Sequence, residues 1–181
     1  MKIAIIITGE LRIPNFNNFF NSIKNYDIYI STYNEYEYIA NKISKNYIIT
    51  NRKNKCFNKK NIPYSNIYQW WHLNKVLKKY KKKLMNYDII FKTRSDTYFI
   101  EPLTDKHFSN IDKECFYINS DFSFYGSSII FYNIYKNFYN DILNKYLNNG
   151  NKYFNINYNN LVLSYKNTNK KSKYNIYKKK I

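Results

Sequence analysis

Glycine, proline and cysteine are nearly missing from this chain: 3, 3 and 2 of 181 residues. Each shortage excludes something. Without a Gly-x-Gly-x-x-Gly or Gly-x-x-x-x-Gly-Lys-[Ser/Thr] run, the sequence lacks the backbone turns that cradle a dinucleotide or a P-loop phosphate. A hydride-transfer enzyme or a P-loop NTPase is therefore not expected. Cys56 and Cys115 have no Cys-x-x-Cys spacing and no histidine at ligand spacing, which argues against a zinc site or a disulfide framework. That pattern suits a reducing, cytoplasmic compartment. His72 and His107 stand alone and read as helix or loop residues. No stretch approaches the roughly 20 apolar residues that cross a bilayer. Lys2 with Ile3–Ile7 is too short for a secretory leader and no small-residue cleavage site follows it. A soluble protein is expected, with any membrane contact peripheral.

Acidic residues are also few, 12 against 30 Lys and Arg, for a net charge of +18. Such an excess ordinarily suggests a polyanion partner. Here the surplus is lysine alongside abundant Asn, Ile and Tyr, with little Gly, Ala or Pro. An A/T-rich genome produces that balance through its codons, leaving a solvated basic face as the physical outcome. Arginine, by contrast, occurs only at positions 12, 52 and 94. A guanidinium kept in such a background points to fork-shaped bonding of phosphate.

The remaining pattern alternates strand and helix, as in an α/β layer fold. Ile3–Thr8 reads as a buried strand ending at Gly9-Glu10-Leu11-Arg12. Pro14 then opens a helix with Phe16, Phe19, Phe20 and Ile23 on one face. Strands are expected at Asp27–Thr32 and Asn46–Thr50, then a polar loop from Asn51 to Ser65. The clearest helix runs from about Asn66 to Met85, with Ile67, Trp70, Leu73, Leu77, Tyr80 and Leu84 as its apolar stripe. Its lysines lie mostly opposite, and Trp71 falls at the stripe's edge. Tyr87-Asp88-Ile89-Ile90-Phe91-Lys92-Thr93-Arg94-Ser95-Asp96 reads as a buried strand ending in a polar cluster. An irregular segment through Asn110 precedes a strand at Cys115–Ile118. A helix follows from about Ser127 to Leu147 with Ile130, Ile134, Phe138 and Ile142 inward, and Gly150 near its end. A short helix over about Asn157–Tyr165 leads to a basic tail, Lys170 to Lys180. No repeat or linker divides the chain, so a single domain over 1–181 is expected.

Open α/β sheets handle ligands at the carboxyl ends of their strands. That rule singles out Thr8, Gly9, Glu10 and Arg12 after the first strand, and Arg94 and Asp96 after the later one. Gly9 suits close backbone approach to a nucleotide, or simply a tight turn. Gly126, ahead of Ser127-Ser128, marks an expected helix N-terminus with free amides suited to an anion.

Three blocks in order carry a resemblance: Ile7-Thr8-Gly9-Glu10-Leu11-Arg12 after a strand, Gln69 and its helix leading to Tyr87-Asp88 and Thr93-Arg94-Ser95-Asp96, and Asp121-Phe122-Ser123-Phe124-Tyr125-Gly126-Ser127-Ser128. Together they resemble a GT-A type glycosyltransferase of the WavE-like lipopolysaccharide and capsule-synthesis group, found in bacteria and giant viruses. The resemblance implies a mostly parallel, Rossmann-like sheet flanked by helices. It further implies a nucleotide-sugar donor, a glycan acceptor, and a cytoplasmic or virion location if the source is viral. Arg12, Arg94 and Gly126 would contact the donor diphosphate, and Thr8, Gly9 and Glu10 would border the nucleoside. Asp96 would bind a divalent cation (Mn or Mg) or donor hydroxyls, and Asp121 would serve as general base or sugar-positioning carboxylate. The chain departs from the pattern in three places. Asp96 is followed by Thr97 and Tyr98, so the paired carboxylate of Asp-x-Asp is missing. Lys92 stands where the family often has Arg, and Asn157-Tyr158-Asn159-Asn160 stands where an acidic residue commonly opens the last helix.

Two other readings stay open. Interleaved tyrosines and lysines could stack bases and neutralise phosphates as a single-strand-binding module does. No RNA-recognition, helix-turn-helix or zinc-finger pattern supports nucleic acid as the partner. A degenerate transferase that keeps the fold without activity is the other.

Overall fold

The computed structural model describes residues 1–51, 64–109, 111–118, 123–141 and 175–178, the side chains of 64–67, 118 and 175–178 excepted. It is an α/β protein built on a mixed, mostly parallel sheet. The strands are β1 (Ile3–Thr8), β2 (Asp27–Tyr33), β3 (Asn46–Thr50), β4 (Ile89–Thr93), β5 (Cys115–Ile118), β6 (Phe124–Ser127) and β7 (Asn175–Lys178). Their spatial order is β3-β2-β1-β4-β6-β5-β7. All pairings are parallel except those of β6, which runs against both β4 and β5.

The helices are α1 (Phe16–Ile23), α2 (Glu37–Ile43), α3 (Tyr64–Lys79), α4 (Lys81–Leu84) and α5 (Ser128–Tyr135). All six residues of β1 are buried, which is why it reads as an unbroken apolar run: both faces of a central parallel strand are covered. Alternate residues serve opposite faces. Ala4, Ile6, Tyr29 and Ile90 pack with α3 and α5, whereas Ile3, Ile5, Ile7, Ile28, Ile30, Ile89 and Phe91 pack with α1, α2 and the segment carrying Phe99, Leu103 and Phe108. Trp70 anchors the first layer, stacked on Tyr135 at 5.4 Å between ring centroids and edge-on to Phe138 at 4.8 Å.

Several boundaries move. The long expected helix breaks at Tyr80 (φ −108°, ψ 15°), so its last turn is the separate α4. Even so, Trp70, Leu73, Leu77, Tyr80 and Leu84 are all buried as the stripe requires. The first helix starts at Phe16, not Pro14, because Asn15 caps it by accepting the Asn18 N–H at 3.0 Å. Helix α2 and strands β6 and β7 were not expected. Residues 175–178, expected in a basic tail, form an edge strand parallel to β5. Of the helix expected over Ser127–Leu147, α5 covers Ser128–Tyr135; its end over 142–147, the helix expected over 157–165 and Gly150 fall outside the described residues.

The helix expected to open at Ser127-Ser128 does so: α5 begins at Ser128 with Ser127 at its N-cap position. Gly126 itself lies within the unexpected strand β6, in register with Ile90 and Phe116. A Cβ there would come within 3.0 Å of the Phe116 ring and 3.3 Å of the Cys115 carbonyl oxygen. Its glycine is explained by close strand packing. The helix begins two residues later, and the Ser127 hydroxyl donates to the Lys113 carbonyl at 2.9 Å and does not cap it.

Candidate functional site

Strands β1 and β4 are adjacent and parallel, with Ile7 opposite Thr93. Their carboxyl ends therefore emerge side by side, bringing Thr8-Gly9-Glu10 next to Arg94-Ser95-Asp96. The Ser95 hydroxyl donates to the Glu10 carbonyl oxygen at 2.8 Å and pins one loop to the other. Gly9 has φ +92° and its N–H donates to the Ser31 carbonyl at 2.9 Å on β2. That positive φ is what calls for glycine. A Cβ at Gly9 would meet nothing within 4 Å, so the space beside the turn is open.

The charged groups at this edge are already matched. Arg94 makes a bidentate contact with Asp96, its Nε donating to Oδ1 at 2.7 Å and its Nη2 to Oδ2. Arg12 pairs with Glu10. Arg94 and Asp96 are partly exposed, with side-chain accessibilities of 42% and 35%. Each arginine thus holds a carboxylate two residues away, and Arg94 does so with the two parallel bonds that a phosphate would take. An arriving diphosphate would compete with these carboxylates for the guanidinium forks.

Beneath the edge, on the α3 face, lies a polar layer that was not foreseen. Lys92 is fully buried in β4; its ammonium donates to Gln69 Oε1 at 3.1 Å and lies over the rings of Trp70 and Phe124 at 5.5 and 5.4 Å. Burial, followed by the Arg94 charge, lowers its pKa to about 7, with Asp96 acting in the opposite sense. Nearby, fully buried His72 shares a 2.7 Å hydrogen bond between Nδ1 and the Ser31 hydroxyl, while its Nε2 has no hydrogen-bond partner among the described residues. Burial and, secondarily, Lys75 lower the His72 pKa to about 3. Thr8 Oγ1 is likewise buried without a hydrogen-bond partner among the described residues. The sequence signal for this layer was a lysine inside a strand buried on both faces.

Of the residues expected to form the site, Thr8, Gly9, Glu10, Arg12, Arg94 and Asp96 come together at one edge. Gly126 does not: it sits toward the opposite end of β6, opposite Ile90. Asp121 lies outside the described residues. The described Ser123 stands at the site edge, its hydroxyl 3.4 Å from that of Thr93. His107 belongs to a surface turn, with Nε2 3.0 Å from Glu101.

Among the described residues no group of three His, Cys, Asp or Glu side chains could hold a metal ion. Asp96 and Glu10 each face an arginine. This donor set fits a divalent cation that arrives with substrate phosphates, such as Mg²⁺ with its retained waters, and does not build a self-sufficient cage. No described helix is long and apolar enough to cross a membrane. A scan against protein-family models finds no match to this chain, and a search of curated proteins finds none either.

Proposed function

We propose that this protein is a GT-A-like glycosyltransferase acting on a nucleotide-diphosphate sugar and a glycan or related acceptor. One observation carries the reading: the Gly9-Glu10 turn and the Arg94-Ser95-Asp96 cluster share one sheet edge and are pinned together by the Ser95–Glu10 hydrogen bond. The mostly parallel sheet with helices on both faces has the layering this reading requires.

Glycosyl transfer needs a stabilised leaving group, a positioned donor and a deprotonated acceptor hydroxyl. Arg94 supplies the fork for the diphosphate oxygens as its bond to Asp96 is exchanged, and the exposed Arg12 adds a second guanidinium. The carboxylate so released from Arg94 is free for donor hydroxyls or for the cation carried by the diphosphate, which would neutralise developing phosphate charge. Thr8, Gly9 and Glu10 border the nucleoside, with the open space at Gly9 admitting close approach. Asp121 is the proposed base for the acceptor. A calorimetric panel of nucleotide sugars, with and without Mn²⁺, tests the reading. Saturable stabilisation by one nucleoside diphosphate, followed by transfer to an acceptor, supports it. No response to any member removes it.

A polyanion-binding reading draws on a different place. Lys78, Lys79, Lys81, Lys82 and Lys83 form an exposed ridge. Its ligands would be long polymers, with affinity falling steeply as salt rises.

A further inference from the structure

Lys92 is an unexpected residue for its position. An ammonium removed from water ordinarily has a carboxylate partner or several hydrogen bonds, because desolvating a charge is costly. Here the described structure gives Lys92 one hydrogen bond, to the neutral amide of Gln69, and two aromatic faces. Its neighbours offer little else. β1 presents Ile6 in register with it, β6 presents Phe124, and α3 presents Gln69 and Trp70. The titratable groups that the described packed elements bring to this layer include His72, bonded to Ser31 on β2, Tyr68 and Lys75 on α3, and the phenol of Tyr135, stacked on Trp70. The charges that bear on Lys92 are Arg94 and Asp96, at the end of its own strand. With those two paired to each other, the ammonium has no net negative neighbour among the described residues.

We infer that Lys92 is a charge reserve for the anion site. It takes a proton from solvent when a diphosphate docks at Arg94, so that anion binding is coupled to proton uptake. The inference rests on reading this edge as a diphosphate site. An anion there adds negative charge above the strand and pulls Asp96 off Arg94. Both changes favour the ammonium over the amine. Lys92 touches no ligand and acts as a positioning residue, strengthening the field behind the phosphates. Since the amine starts close to neutral pH, in line with its burial, a modest added field suffices to charge it. Uptake of about half a proton or more is expected near pH 7.5–8.

The test is isothermal titration of the full chain with uridine diphosphate, guanosine diphosphate and inorganic pyrophosphate. Running each in buffers of different ionisation enthalpy gives the proton count directly. Lys92→Met removes the amine, whereas Gln69→Glu gives it a carboxylate that keeps it charged in both states. Both variants should lose the extra proton by opposite routes, and the second retains the lysine if the first fails to fold. A wild-type proton count equal to that of either folded variant, with binding intact, overturns the role of Lys92 while leaving the diphosphate site standing. No binding of any probe overturns both.

A ligand-free readout checks the titration itself. Unfolded lysine holds its proton up to about pH 10.5 and folded Lys92 loses it near 7, so the unfolded state binds more protons between those values. Stability should therefore rise with pH across that window in the wild type more than in Lys92→Met. Identical slopes would contradict the inference.

Discussion

The two edges of the sheet handle charge in opposite ways. At the carboxyl edge Glu10, Arg12, Arg94 and Asp96 are paired within the chain, and Ser95 ties the two loops together. Toward the amino edge, where the Asp88 N–H bonds the Lys2 carbonyl and the Tyr87 hydroxyl bonds Asp27, α3 ends in the lysine ridge. No lysine of that ridge forms an ion pair among the described residues, although Lys79 and Lys81 lie over the rings of Tyr80 and Tyr132. A net charge of +18 therefore says little about the site. The ridge lysines are exposed and screened by salt. The charged groups of the carboxyl edge are few, balanced and placed by strand register.

This contrast can be broken most sharply at Asp96. Asp96→Asn keeps the shape, removes the charge and frees Arg94, and turnover with a matched donor and acceptor should fall by roughly 10²-fold or more. Next comes Arg94→Ala, in which a charge-assisted bond of about 1.5–3 kcal/mol is lost, weakening diphosphate binding roughly 10- to 150-fold by calorimetry. Arg94→Lys should recover only part of it, since an ammonium makes no parallel pair of bonds.

Gly126→Ala tests the position excluded from the site. Its methyl would press on Phe116 and the Cys115 carbonyl, costing about 1–3 kcal/mol in denaturant unfolding with diphosphate affinity unchanged. His72 provides a pH test of the same polar layer. Its folded pKa is lowered from 6.5 to about 3, so the unfolded state binds the proton first and stability drops as pH falls from 6.5 toward 3. Between pH 6 and 5 the wild type should lose about 1 kcal/mol that His72→Asn does not lose. The smallest effect on donor binding belongs to the ridge. Replacing Lys81, Lys82 and Lys83 together by Gln should change it by less than about twofold, because exposed charges act weakly at a distance.

Much of this arrangement was legible in the residues. A run such as Ile3–Thr8 can hardly be anything but a strand buried on both faces, and the stripe from Trp70 to Leu84 holds across the break at Tyr80. The rule on strand ends singled out both loops, and parallel pairing of β1 with β4 brings them to one edge. What stayed illegible was non-local. β6 is four residues long and gains its strand character by pairing on both sides, so the strand ahead of the Ser127-Ser128 helix start went unseen. β7 depends on β5 for its hydrogen bonds, and nothing in Asn175–Lys178 alone announces a strand. The Lys92–Gln69 and His72–Ser31 contacts join residues 23 and 41 positions apart, distances over which periodicity carries no information.

The most direct test of the central claim is a calorimetric titration of one nucleoside diphosphate, at low and high salt, into three proteins. These are the wild type, Arg94→Ala and the triple lysine-to-glutamine variant. The account predicts a saturable wild-type site with a shallow salt dependence, retained in the lysine variant and lost or strongly weakened in Arg94→Ala. Equal losses in the two variants, with affinity collapsing as salt rises, would show that the ridge and not the carboxyl edge binds phosphate.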